Sequence, residues 1–243
     1  MHLKKLLASF IIFSVFITGC NNFEKKDTVS SRAKQQQTMT KVQNDVNEIM
    51  NKDYDYVLSN MGTPYSTTYW IDKEKMNEAK TIDDINKTGT IAMIYPKYTS
   101  DNELDGSALY IELYNNKVIE VQTYDFNIDI IEEETEKDNS VLVIDKYSET
   151  GELELKDIEN INLELYKNKD LKELYNKLNG IKPTLDVYEM IGKTKSVEIY
   201  MLNKNEKDSK KVLIVFANNG KIEDIKITNS DLIIDQTKGY LLN

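Results

Sequence analysis

Asp101, Glu103, Asp105, Gly106 and Glu112 stand at positions 1, 3, 5, 6 and 12 of a calcium-binding loop. Such a loop takes oxygens at its first, third, fifth and twelfth places and glycine at the sixth, where the chain turns sharply. Two features count against a metal. The third place is Glu rather than Asp or Asn, and the ninth is Leu109. The exit segment, 108–114, is rich in strand formers where a helix is needed. Asp105-Gly106 is more economically a turn between two strands, and no metal is expected.

A second concentration of chemistry is aromatic. Tyr54, Tyr56, Tyr65, Tyr69, Trp70, Tyr95 and Tyr98 cluster in the first half of the chain. Tyr and Trp anchor protein interfaces and stack on glycans, so Tyr56, Tyr65, Tyr69, Trp70, Tyr95 and Tyr98 form a candidate binding surface. Packing of a sheet against helices is the commoner role of such residues. Strand alternation sends Tyr69 and Trp70 to opposite faces, so at least one leaves the core side.

The rest of the catalytic repertoire is thin. The one histidine, His2, and the one cysteine, Cys20, both lie in the first twenty residues. Beyond them the chain has no imidazole and no thiol. That removes histidine acid–base catalysis, Ser-His-Asp and Cys-His nucleophiles, and His/Cys zinc sites. It also removes internal disulfides. Ser31-Arg32-Ala33-Lys34 has the S-x-x-K spacing of penicillin-binding enzymes, but neither S-D-N nor K-T-G follows. Only nine glycines are present, and no phosphate-cradling motif is among them, so no cofactor is expected. The net charge of −10 repels nucleic acid.

The elements that must position these residues can be read from spacing. Residues 21–40 lack apolar periodicity and read as a flexible polar tether. Val42, Val46, Ile49 and Met50 fall at helical spacing. Asp53 caps a second helix carrying Tyr54, Val57, Leu58 and Met61, which Gly62 and Pro64 end. Strands follow over 65–71, 90–95 and 108–114, and Asn115-Asn116 turns the chain into a strand over 117–124. Residues 131–163 form an acidic linker with a run at Glu132–Asp138 and a hairpin of 141–147 with 152–155 around Thr150-Gly151. Then Leu171, Leu174, Tyr175 and Leu178 make a helical stripe. Thr184 caps a short helix ended by Gly192. Strands over 196–202, 211–217 and 221–228 follow, with a turn at Asn218-Asn219-Gly220.

Laid over each other, 55–62 matches 185–192, and 109–120 matches 212–223. The chain therefore reads as α+β: two tandem helix–helix–three-strand units, each with its own antiparallel sheet, over 41–130 and 164–243.

The N-terminus carries an address. Lys4-Lys5 precedes an apolar stretch over 6–17, closed by Ile17-Thr18-Gly19-Cys20. A stretch of twelve residues, interrupted only by Ser9 and Ser14, is too short to span a bilayer, and the pattern is that of a secretory signal. Ile17-Thr18-Gly19-Cys20 resembles the bacterial lipobox. The resemblance implies cleavage after Gly19, diacylglycerol on Cys20, a lipidated tether over 20–40 and a place on the outer face of the cell membrane. Loss of residues 1–19 removes two lysines and takes the charge from −10 to −12. Richness in Lys, Asn, Ile and Tyr suits a Gram-positive host with an AT-rich genome.

The body is similar in arrangement to envelope-assembly lipoproteins of the SmpA/OmlA type, through Met61-Gly62-Thr63-Pro64 followed by an aromatic strand. Tandem units of this kind build the β-lactamase-inhibitor protein. The resemblance implies a non-catalytic module that binds a protein partner in the envelope. A solute-binding lipoprotein and a cell-wall enzyme using paired carboxylates are the alternatives.

Overall fold

The computed structural model describes residues 24–80, 84, 89–101, 103–126, 141–147, 150–151, 153–189, 194–203 and 210–242. The signal segment, Cys20, the acidic run over 132–138 and Gly192 lie outside the described residues.

The fold is α+β. A first helix, α1 (Glu24–Asn44), is followed by α2 (Tyr54–Met61), β1 (Ser66–Asp72), α3 (Lys73–Glu78), β2 (Thr90–Tyr98), β3 (Leu104–Tyr114), β4 (Lys117–Asp125) and β5 (Val141–Tyr147). Then come β6 (Leu153–Glu154), α4 (Leu155–Glu159), α5 (Leu171–Lys177), β7 (Leu185–Glu189), β8 (Lys195–Asn203), β9 (Lys211–Asn218), β10 (Lys221–Asn229) and α6 (Ile233–Leu241).

The strands form one ten-stranded sheet in the order β10-β9-β8-β7-β5-β1-β2-β3-β4, with β6 beside β8. This corrects the expectation of two separate sheets. β5 runs antiparallel to both β1 and β7 and joins two four-strand halves. A half-turn about an axis along β5 exchanges β1–β4 with β7–β10. It also exchanges the two faces of the sheet, which explains where the helices lie. Met39 and Val42 of α1 and Tyr54, Val57 and Met61 of α2 pack on the near face, against Tyr69, Ile91, Met93, Tyr95 and Ile111. Ile158 of α4 and Leu174 of α5 pack on the far face, against Tyr200, Leu202, Leu213 and Val215. α6 closes the near face of the second half through Ile233 and Leu241.

Local chemistry sets the element ends. The Asp53 side chain accepts from the Tyr56 N–H and starts α2. Gly62, at φ +75°, stops it, and its N–H bonds the Leu58 carbonyl at 2.9 Å. Asn115-Asn116 and Asn219-Gly220 each hold positive φ at two successive positions, as a tight hairpin turn requires.

The two halves follow the same strand order, in a register other than the match of 55–62 with 185–192. Asn51-Lys52-Asp53 and Asn168-Lys169-Asp170 are the equivalent segments. Both asparagines take positive φ, +63° and +65°. The Asn51 N–H bonds the Val118 carbonyl at 3.0 Å, and the Val118 N–H bonds the Lys52 carbonyl at 2.8 Å. The Asn168 N–H bonds the Ile222 carbonyl at 2.7 Å, and the Ile222 N–H bonds the Lys169 carbonyl at 2.9 Å. Each segment thus pairs with the second residue of an outer strand, β4 or β10, and leads into a helix. Gly62 stops α2, and Asn179 and Gly180, at φ +55° and +74°, turn the chain just after α5; Pro64 and Pro183 precede the next strand.

Four further expectations are corrected. Leu185–Glu189 is a strand, not a helix capped by Thr184, because Val187 and Leu185 pack inward between β5 and β8. Residues 141–147 and 153–154 form no hairpin: β5 is central and β6 pairs parallel with β8. Asp105-Gly106 lies inside β3, and the chain turns earlier, where the Thr99 N–H bonds the Glu103 carbonyl at 2.7 Å. The segment read as a polar tether is helical from Glu24, and buried Met39 docks its end, with buried Val42 just beyond it.

Candidate functional site

The far face of the sheet carries an unusual row. Pairing register aligns Glu120 on β4, Glu112 on β3, Ala92 on β2, Thr68 on β1, Asp145 on β5, Asp186 on β7 and Glu198 on β8. Side chains alternate between faces along a strand, so residues opposite one another share a face. Five carboxylates therefore stand on one cross-strand line, with Asp145, Asp186 and Glu198 on consecutive strands. Like charges directly opposite each other destabilise a sheet, so the row runs against the demands of folding.

Aromatics flank the row on both sides. One neighbouring row holds Tyr110, Ile94, Ser66 and Tyr147. The other holds Tyr114, Thr90, Trp70, Val143, Tyr188 and Ser196.

At the inner end the acids are held by hydroxyls. Asp145, 7% exposed, accepts from the Thr68 hydroxyl at 2.6 Å and the Tyr188 hydroxyl at 3.0 Å. Glu198, 2% exposed, accepts from Tyr200 at 2.8 Å and from Tyr175 of α5. Burial pushes the Glu198 carboxyl above its ordinary range, although both tyrosine bonds oppose the shift. Burial, and then the facing carboxylates, raise the Tyr175, Tyr188 and Tyr200 hydroxyls, so all three are protonated donors at neutral pH. Buried polar atoms of this face without a hydrogen-bond partner include Ser66 Oγ and Trp70 Nε1.

At the outer end the row is open. Tyr114 and Tyr124 are half exposed, and the Tyr110 and Tyr124 rings meet edge to face at 5.4 Å. Glu120 is exposed and Gln122 Nε2 donates to it.

The six aromatics singled out in the sequence do not converge on one surface. Tyr69 and Tyr95 are fully buried on the near face. The Tyr69 hydroxyl lies 3.0 Å from that of Tyr54, and the Tyr95 hydroxyl donates to the Gly62 carbonyl at 3.1 Å. Tyr56 has Lys52 Nζ over its ring at 5.1 Å, Tyr65 packs edge-on against Phe126, and Tyr98 sits beneath Arg32 of α1 at 4.3 Å. Trp70 alone reaches the acid row.

The calcium-loop residues are likewise dispersed. Asp101, Glu103 and Asp105 are exposed around the start of β3, and Asp105 Oδ1 accepts from the Ser107 N–H and hydroxyl, each at 2.8 Å. Glu112 lies seven residues further along the same strand, about 23 Å away at a strand's rise, so the four cannot surround one ion. Among the described residues, no group of three or more His, Cys, Asp or Glu is placed to hold a metal.

Among the described residues no helix is long and apolar enough to cross a membrane. No protein-family model matches the chain, and no curated protein matches it. A solved structure from Streptococcus mutans, described as a candidate β-lactamase inhibitor protein, matches with a TM-score of 0.26 and 11% identity over 75% of this chain and 91% of that one. At that score the likeness is too loose to bear on function.

Proposed function

We propose that the chain is a lipid-anchored protein on the outer face of the cell membrane that binds a basic protein partner and performs no catalysis. The acid row flanked by aromatics is the observation that carries this reading. Its outer end presents half-exposed tyrosines beside Glu112 and Glu120. Tyrosine supplies rigid contact area at interfaces, and aligned carboxylates steer a positively charged partner. The sequence supports the anchor through its signal and Ile17-Thr18-Gly19-Cys20. The absence of imidazole and thiol after residue 20 supports a role without acid–base or nucleophilic chemistry of those kinds. Glu198, 2% exposed and held by the Tyr175 and Tyr200 hydroxyls, does not suit a carboxylate working on a glycan chain.

The test is affinity capture from membranes with the full-length protein. A partner recovered by the wild type should be lost when Tyr110 and Tyr124 are both changed to Ala. Equal recovery by the double variant rules out the outer end of the row as the interface. Cys20→Ala should leave an unprocessed, slower-migrating form. Fatty-acid labelling of that variant at wild-type strength would refute the anchor.

A further inference from the structure

We propose that the inner end of the acid row receives an alkylammonium group, presented as a lysine side chain or as a free amine. The inference deepens the reading above by naming the chemistry that the same face recognises. Asp145 stands at the centre of an aromatic surround. Tyr147 is two residues along the same strand, Tyr188 donates its hydroxyl to Asp145 from the neighbouring strand, and Trp70 lies diagonally across on β1. The three rings are partly exposed and form the rim. Asp145 and Ser66, at 7% and 3% exposure, form the floor.

Ser66 is an independent pointer to a ligand. It shares the face of Thr68 and stands opposite Tyr147, and its Oγ is buried without a partner. Buried polar atoms are almost always hydrogen-bonded, so an orphan oxygen beside a carboxylate invites a donor. An ammonium offers three donors and no acceptor, which matches Ser66 Oγ and Asp145. Ring faces attract the same charge. The chain already seats one ammonium at this rim, since Lys182 Nζ lies 5.7 Å from the Tyr147 ring centroid. Trp70 Nε1, likewise buried without a hydrogen-bond partner, can only donate. An ammonium cannot satisfy it, whereas a peptide carbonyl beside a lysine can. A peptide-borne lysine therefore fits the site more fully than a simple amine.

The test titrates the full-length protein with three probes: butylammonium, a lysine blocked as acetyl and methylamide at its backbone ends, and the same molecule acetylated at Nζ. Calorimetry should show saturable binding of the first two at millimolar concentration or below, and none of the third. Ser66→Ala and Asp145→Asn should each weaken binding about tenfold or more, and Asp235→Asn, at an exposed position of α6, should leave it unchanged. Ser66→Ala removes one oxygen and no packing, so it decides the matter even if Asp145→Asn does not fold. Tighter binding of the blocked lysine assigns a lysine side chain, and equal binding assigns a free amine. No saturable binding of either ammonium, or binding unaffected by Ser66→Ala, overturns the proposal. Partner capture that depends on Tyr110 and Tyr124 would survive that failure, so the two readings fail separately.

Discussion

At the scale of single residues, the acid row shows how a charge pattern hides in a sequence. Asp145, Asp186 and Glu198 alternate with Ile144, Val187 and Val197 along ordinary half-buried strands, and nothing in one strand announces the others. Their alignment depends on pairing between strands far apart in the chain. The aromatics were legible as a group because they cluster in sequence, but their destinations were not. Tyr69 and Tyr95 go to the near-face core, and Trp70 goes to the far face. Glu198 gives a pH prediction. Burial raises its pKa in the folded state, so the native protein holds more protons than the unfolded chain between the two pKa values. Its contribution to stability is therefore greatest below the unfolded value of about 4.3 and is lost as pH rises through the folded value. Melting temperature measured against pH should fall across that window in the wild type and fall less in Glu198→Gln. Thr68→Val should cost about 1.5–3 kcal/mol in denaturant unfolding, because it removes a hydroxyl donor from a buried carboxylate.

At the scale of elements, stops and turns were the clearest signals. Gly62, Asn115-Asn116 and Asn219-Gly220 each hold the positive φ that their residue types favour. Leu185 and Tyr188 misled because a spacing of three mimics a helix in a segment only five residues long. The repeated Asn-Lys-Asp was a sequence signal for the true register. It places the second glycine stop at Gly180 and the second proline at Pro183, not beyond Ile191. Ile233, Ile234, Thr237 and Leu241 of α6 also fall at helical spacing in the sequence. Gly62 has φ +75° and ψ −164°, a region almost closed to other residues. Gly62→Ala should therefore destabilise the protein by about 1–3 kcal/mol in chemical denaturation. Gly180→Ala, at φ +74° with open space where a Cβ would lie, should cost about 1 kcal/mol from backbone strain alone.

At the scale of the whole molecule, β5 could not be read as the joint between halves. It follows an acidic stretch and looks like one arm of a local hairpin. Its pairing with β1 and β7 makes the sheet continuous, so the halves share one layer. The outer edges are managed alike, with Asn51-Lys52 along β4 and Asn168-Lys169 along β10, and a covered edge resists pairing with other chains. Ending the chain at residue 126 should leave β1 with a bare edge. That fragment should aggregate on size-exclusion chromatography, while the intact chain stays dispersed.

The docking of α1 has a mechanical consequence. Gln35 Nε2 donates to the carbonyls of Met61 and Thr63, Gln36 Nε2 donates to that of Pro96, and Arg32 covers Tyr98. The helix is clamped from Arg32 onward, while its first turns lead back towards Cys20, which lies only four positions before Glu24. On the proposed anchor, those turns act as a short stiff spar. From Glu24 to Gln35 it measures about 16 Å at a helix's rise. With Cys20 in the bilayer as proposed, a spar of that length would keep the acid row close to the membrane, so that a partner of that face would itself be a molecule at the membrane surface.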